Sequence, residues 1–115
     1  MTVLSLPPEF SNDPVPEQVF FDRRELNVIL SLYGRRVAAG EWRDYGIRGE
    51  ADVATFSIFR RAAEVPLYRV EKRPRLRHRQ GMYALLGAQG QVLRRGHDLA
   101  AVLRFLDQKA MRAID

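Results

Sequence analysis

The sequence predicts a two-layer α+β domain with an N-terminal helix, an antiparallel sheet of about four or five strands and a C-terminal helix. Three observations carry that prediction. An apolar stripe at helical spacing lies before residue 40, a second lies after residue 98, and the segments between them repeat their apolar residues at every second position. Two striped helices need an apolar surface to cover, and one face of a single sheet supplies it.

Residues 1–19 contain Pro7, Pro8, Pro14 and Pro16 among Ser, Asn, Asp and Glu. Proline lacks the amide hydrogen that helices and ladders need, so a flexible tail is expected. Val3, Leu4 and Leu6 remain able to dock on the domain or pair at a sheet edge. A single domain is expected over residues 20–115. Its first helix starts after Asp22, a capping residue, with Glu25 placed to complete a capping box. Phe21 and Leu26 have the spacing of a hydrophobic staple. Leu26, Ile29, Leu30, Tyr33 and Val37 form one helical stripe, and Gly40 is the natural stop.

The strands follow. Trp42–Ile47 is a short one, with Tyr45 and Ile47 on the same side, and residues 49–52 turn the chain. Val53–Phe59 alternates, with Ala54, Phe56 and Ile58 on one face and Thr55 and Ser57 on the other. Leu67–Lys72 puts Tyr68 and Val70 together. Met82–Leu86 is apolar on both sides and is the expected central strand. Gly87 and Gly90 bracket a hairpin turn, and Gln91–Arg95 returns. The face with Thr55, Ser57, Arg69 and Glu71 is expected to meet solvent. Asp98 caps the last helix, whose stripe is Leu99, Val102, Leu103, Leu106 and Ala110.

The chain has 115 residues, enough for one domain; it is 46% hydrophobic and 29% charged. Cysteine is absent, which excludes disulfides, thiolate metal sites and cysteine nucleophiles. No apolar run approaches the roughly 20 residues that cross a bilayer. The opening MTVLSLPPEF has no basic segment of the kind that starts a secretory signal, so no membrane association and a cytoplasmic location are expected. Charge is uneven. Residues 1–50 carry six Arg against eight carboxylates, net −2, and residues 51–115 carry 13 Lys and Arg against six carboxylates, net +7. Of 19 basic residues 17 are arginine, the better bidentate phosphate reader, although a biased genome gives the same preference.

The segments LSLYGRRVAAGEWRDY (30–45), FSIFRRAAEVPLYRVEKRP (56–74) and RRGHDLAAVLRFLD (94–107) resemble a family of short bacterial proteins catalogued as domain of unknown function 2794. The resemblance spans roughly residues 20–110, with the segments in the family's order. It implies no activity, cofactor or residue role.

One cluster stands out chemically. Arg69, Lys72, Arg73, Arg75, Arg77 and Arg79 place six cations within 11 residues, with Arg60 and Arg61 in a neighbouring connection. If 73–79 is extended, its four arginines share a face at about 6.6 Å intervals, twice the strand rise. Such a row repels itself unless an anion lies across it. Tyr68 and Tyr83 flank the run and could stack on bases. These residues are the candidate contacts to RNA or DNA, made without sequence preference. The competing explanation is a solvated loop whose arginines pair with Glu64 or Glu71. Helix, strands and helix is also the order of double-stranded-RNA-binding domains, but Asp98 stands where their lysines would be.

Catalytic patterns are missing. His78 sits within the arginine run, where a catalytic-acid role is not expected. His97 adjoins Asp98, a neighbour badly placed to orient it. Ser5, Ser11, Ser31 and Ser57 lie in no nucleophile motif. No metal-ligand spacing occurs, and GAQG (87–90) is too short for a phosphate loop. The expectation is therefore a non-enzymatic binding module without cofactor or metal, contacting nucleic-acid backbone. The alternative is a protein-interaction or regulatory adaptor, acting with a protein partner or as a homodimer.

Overall fold

The computed structural model describes residues 18–61 and 65–114. Most of the expected N-terminal tail, and side chains beyond Asp107, including that of Ala110, lie outside the described residues. Helix α1 spans Arg23–Ala38. Five strands follow: β1 Asp44–Gly49, β2 Ala54–Phe59, β3 Tyr68–Lys72, β4 Tyr83–Gly87 and β5 Val92–Gly96. Helix α2, Leu99–Ile114, ends the order. The strands form one antiparallel sheet in sequence order, so the fold is the expected α+β arrangement.

Local chemistry accounts for the helix starts. The Asp22 carboxylate accepts from the Glu25 amide at 2.8 Å, and Glu25 Oε1 accepts from the Asp22 amide at 2.8 Å. Asp98 accepts from the Ala100 and Ala101 amides at 3.0 and 3.4 Å, opening α2. The helices are tied to each other by Arg36, whose Nη2 donates to Asp107 at 2.7 Å.

Register sorts the sheet into two faces. Tyr45 and Ile47, Ala54, Phe56 and Ile58, Tyr68, Val70 and Lys72, and Tyr83 and Leu85 line up across β1 to β4 on the side of the helices. Ile29, Leu32 and Tyr33 of α1 and Leu99, Val102, Leu103 and Leu106 of α2 close over this face. Five aromatic rings knit one end: Tyr33 lies 5.9 Å from Trp42 and 6.0 Å from Phe56, Tyr45 stacks on Phe56 at 4.9 Å, and Trp42 reaches Tyr68 at 6.3 Å.

Three expectations are corrected. β1 begins at Asp44 rather than Trp42, because Trp42 is drawn into the core ahead of the strand. The middle strand is β3, not the 82–86 segment; β4 is an inner strand, buried on both sides. Glu71 is buried rather than solvated, set between Thr55 and Ala84 in register. A bulge at Leu85–Leu86, where Leu86 opposes Val92, also shifts the pairing of β4 with β5.

Candidate nucleic-acid interface

The arginine run does not extend. Pro74 starts a single 3₁₀ turn, Pro74–Leu76, as its fixed φ favours. The chain then curls on itself: the Arg77 amide bonds Pro74 O at 3.2 Å, Arg79 bonds Leu76 O at 3.1 Å, and Gly81 bonds Leu76 O at 3.0 Å. The alternation that would have aligned Arg73, Arg75, Arg77 and Arg79 is therefore lost.

Each candidate has its own surroundings. Arg73 Nε donates to Glu71 Oε1 at 3.1 Å. Arg75 lies 3.4 Å from Asp52, but both are largely exposed, so the pair is worth little. Arg77 Nε donates to Pro74 O at 3.2 Å, and Arg79 is exposed. Arg69 lies on β3, on the face away from the helices, between Ser57 and Leu86. Arg60 and Arg61 are exposed just past β2. Arg73 lies opposite Val53 by the β2–β3 register, seven residues back from Arg60, so the two groups are about 23 Å apart along the strands. Arg60 and Arg61 mark the other end of the sheet and do not extend the turn's charge.

Lys72 is turned the opposite way. It shares the helix side with Val70, and its ammonium donates to Glu25 Oε1 at 2.8 Å and to Phe20 O at 2.9 Å. The Tyr83 hydroxyl donates to Glu25 Oε2. Tyr68 packs near Trp42. Neither tyrosine is placed to stack on a base, because strand alternation sends both rings into the core.

Register also gathers cations that were not singled out in the sequence. Arg48 of β1, Thr55, Glu71, Ala84 and Arg95 of β5 form one row across the uncovered face. Arg69 stands in the next row. Arg48, Thr55, Ser57, Phe59 and Arg69 line a shallow groove of about 360 Å³ on this face. The row lies at the end of the sheet from which the 74–80 turn projects. Arg95 Nη1 reaches back to Gly81 O at 3.4 Å, so β5 and the turn are in contact. Among the described residues no carboxylate forms an ion pair with Arg48, Arg69, Arg77, Arg79 or Arg95. No group of three His, Asp or Glu among them could hold a metal, and no helix is long and apolar enough to cross a membrane.

Burial, the hydrogen bond to Glu25 and the charge of that carboxylate hold the Tyr83 phenol above the usual tyrosine range. A raised folded pKa gives stability that is full below the unfolded value near 10 and declines as pH rises through the folded one. Stability is therefore expected to fall above about pH 10. Tyr83→Phe should make that fall shallower, and urea titrations of both proteins between pH 9 and 11 check it.

The family comparison bears on the same residues. A family model described as "Protein of unknown function (DUF2794)" matches residues 19–103. The chain belongs to this family. The match runs from the residue before Phe20 through both faces of the sheet to Leu103, so the DUF2794 region contains every element that forms the uncovered face. No curated protein and no solved structure matches the chain.

Proposed function

We propose that this DUF2794 protein is a cytoplasmic, non-enzymatic module that holds RNA or DNA by its backbone. The uncovered sheet face and the 74–80 turn form the contact surface. The observation that supports the reading is the set of cations with no carboxylate partner among the described residues: Arg48 and Arg95 in the row at the turn's end of the sheet, Arg77 and Arg79 on the turn, and Arg69 further along the face, its guanidinium near Gly90. Arg75 adds to them, since an exposed Asp52 competes weakly with a phosphate. Lys72 stands outside the surface because Glu25 neutralises it. Hydroxyls of Thr55 and Ser57 offer further hydrogen bonds to phosphate. Nothing in the arrangement reads base edges, so sequence preference is not expected.

Salt dependence tests this. With four phosphates held on a single strand, log K should fall against log salt with a slope of about −2.8. Arg75→Ala together with Arg77→Ala should bring the slope to about −1.4 and leave the melting temperature unchanged. Anisotropy of a labelled single-stranded oligonucleotide reads both. Absence of binding near 50 mM salt, or an undiminished slope in the double variant, rejects the proposal.

A further inference from the structure

β1 is an edge strand; Val19 and Phe20 lie against its Gly49–Glu50 end, and among the described residues no strand covers the rim from Asp44 to Arg48. The Glu50 amide donates to Val53 O at 2.9 Å, in line with the β1–β2 register. Backbone groups alternate along an antiparallel strand. Asp44, Gly46 and Arg48 thus turn their N–H and C=O groups toward β2, while Tyr45 and Ile47 turn theirs outward. In the single chain the Tyr45 amide is met by the carboxylate of its neighbour Asp44, at 2.8 Å.

The side chains on this rim also lack cover. Tyr45 and Ile47 lie on the helix side of the sheet, yet they are 42% and 49% exposed. Tyr45 leans on Phe56 and on the edge of Tyr33. One turn to either side of Tyr33, Leu30 and Val37 are 37% and 41% exposed. An apolar strip on the flank of α1 therefore runs out to an edge strand that pairs with no further strand among the described residues.

We propose that a second copy of the chain covers this strip, joined edge to edge through β1 in an antiparallel pair with its two-fold axis at Gly46. The sequence Asp44–Arg48 is self-complementary in that register. Tyr45 faces Ile47 of the second copy and Ile47 faces its Tyr45, an aromatic and β-branched pairing that suits adjacent strands. Their outward amides and carbonyls bond each other directly. On the opposite face Asp44 meets Arg48 of the second copy, and Arg48 meets its Asp44. The Asp44 carboxylate exchanges the Tyr45 amide for a guanidinium. Gly46 faces Gly46, with no side chain on the axis.

Neighbouring registers lack this match. A symmetric antiparallel pair keeps each face in common, so registers change by two residues in the summed numbering. Centring on Ile47 sets Asp44 against Glu50, two like charges. Centring on Tyr45 sets Arg43 over Ile47 and Arg48 over the buried Trp42. Of these three registers, the one centred on Gly46 matches both charges and both apolar side chains. It brings the α1 helices of the two copies onto the same side, where Leu30 and Val37 close the strip, and it forms an isologous two-fold interface. The inference goes beyond nucleic-acid binding and does not depend on it; in the pair the second copy's Asp44 neutralises Arg48, which leaves Arg95, Arg69 and the arginines of the turn for phosphate.

Sedimentation of the full chain tests it. A dimer is expected, and Ile47→Lys should give a monomer. Asp44→Arg alone and Arg48→Asp alone should each weaken the dimer, and the two together should restore it, which a merely damaged fold would not do. Gly46→Cys supplies a geometric check, because the chain has no cysteine of its own. An added Cβ at Gly46 meets nothing within 4 Å. Facing α-carbons there would be about 4.5 Å apart, within disulfide reach. With oxidised glutathione, Gly46→Cys should cross-link into a covalent dimer, while Arg48→Cys, which faces Asp44, should not. A monomeric wild-type chain would leave the rim to some other occupant and overturn the proposal. So would equal cross-linking of the two cysteine variants, or a double charge reversal that fails to recover the dimer.

Discussion

Replacing Glu25 by alanine is expected to destabilise the domain by about 3–5 kcal/mol, the usual result of removing one partner of a buried ion pair. The Glu25 side chain is only 7% exposed. Its carboxylate accepts from the Asp22 amide, from the Lys72 ammonium and from the Tyr83 hydroxyl. Alanine would leave the Lys72 ammonium under the helices with Phe20 O as its hydrogen-bond partner among the described residues, and the phenol of Tyr83 without the Glu25 acceptor. It would also remove half of the capping box that starts α1. Urea unfolding reads the change as a lower midpoint at an unaltered slope. A Glu25→Leu/Lys72→Met double variant should recover much of the loss, because a well-packed apolar pair often replaces a buried ion pair at little cost. If Glu25→Ala alone loses under about 1 kcal/mol, water reaches the site and the pair is effectively a surface one.

The same residue shows what could be learned from the sequence. Glu25 was legible as a capping-box partner because Asp22 is three positions away, and both hydrogen bonds are present. Its links to Lys72 and Tyr83 span 47 and 58 positions, and no local pattern points across such a separation. The orientation of Lys72 was available, however. Tyr68 and Val70 define the covered face of β3, and alternation extends that face to residue 72. The cations of the run were grouped by proximity along the chain, which alternation then divides between two faces. The two helices, the sheet and most strand limits followed from apolar periodicity, since that pattern expresses burial directly. Arg48 and Arg95 were not singled out, because they belong to one surface only through register, three strands lying between them.

Alternating charge was a poor guide over 73–79 for a different reason. The stretch is bracketed by Pro74 and Gly81, and these two residues set its path. Gly81 has φ +111°, and a Cβ added to it would lie 2.5 Å from the carbonyl carbon of Gly96 and 2.7 Å from its α-carbon. The two glycines therefore meet backbone against backbone where the turn touches the end of β5. Gly81→Ala is expected to cost about 4 kcal/mol, combining backbone strain of roughly 1–3 kcal/mol with overpacking of similar size. Gly40→Ala separates the components: Gly40 also has a positive φ, 79°, but open space around its missing Cβ, so only strain of about 1–2 kcal/mol is expected there. Thermal unfolding of the two variants gives the comparison, and equal losses would remove the steric part of the explanation. Gly81 also closes the arginine turn through its bond to Leu76 O, and its own carbonyl accepts from Arg95. If Gly81→Ala is studied at a temperature where it remains folded, the turn must move away from β5 to relieve the contact with Gly96. Arg75, Arg77 and Arg79 then separate from Arg95 and Arg48 although no cation has been removed. Under the nucleic-acid proposal the salt slope should fall in that variant as it does in Arg75→Ala/Arg77→Ala. An unchanged slope would mean that the cations act singly and that the turn and the sheet face do not form one surface.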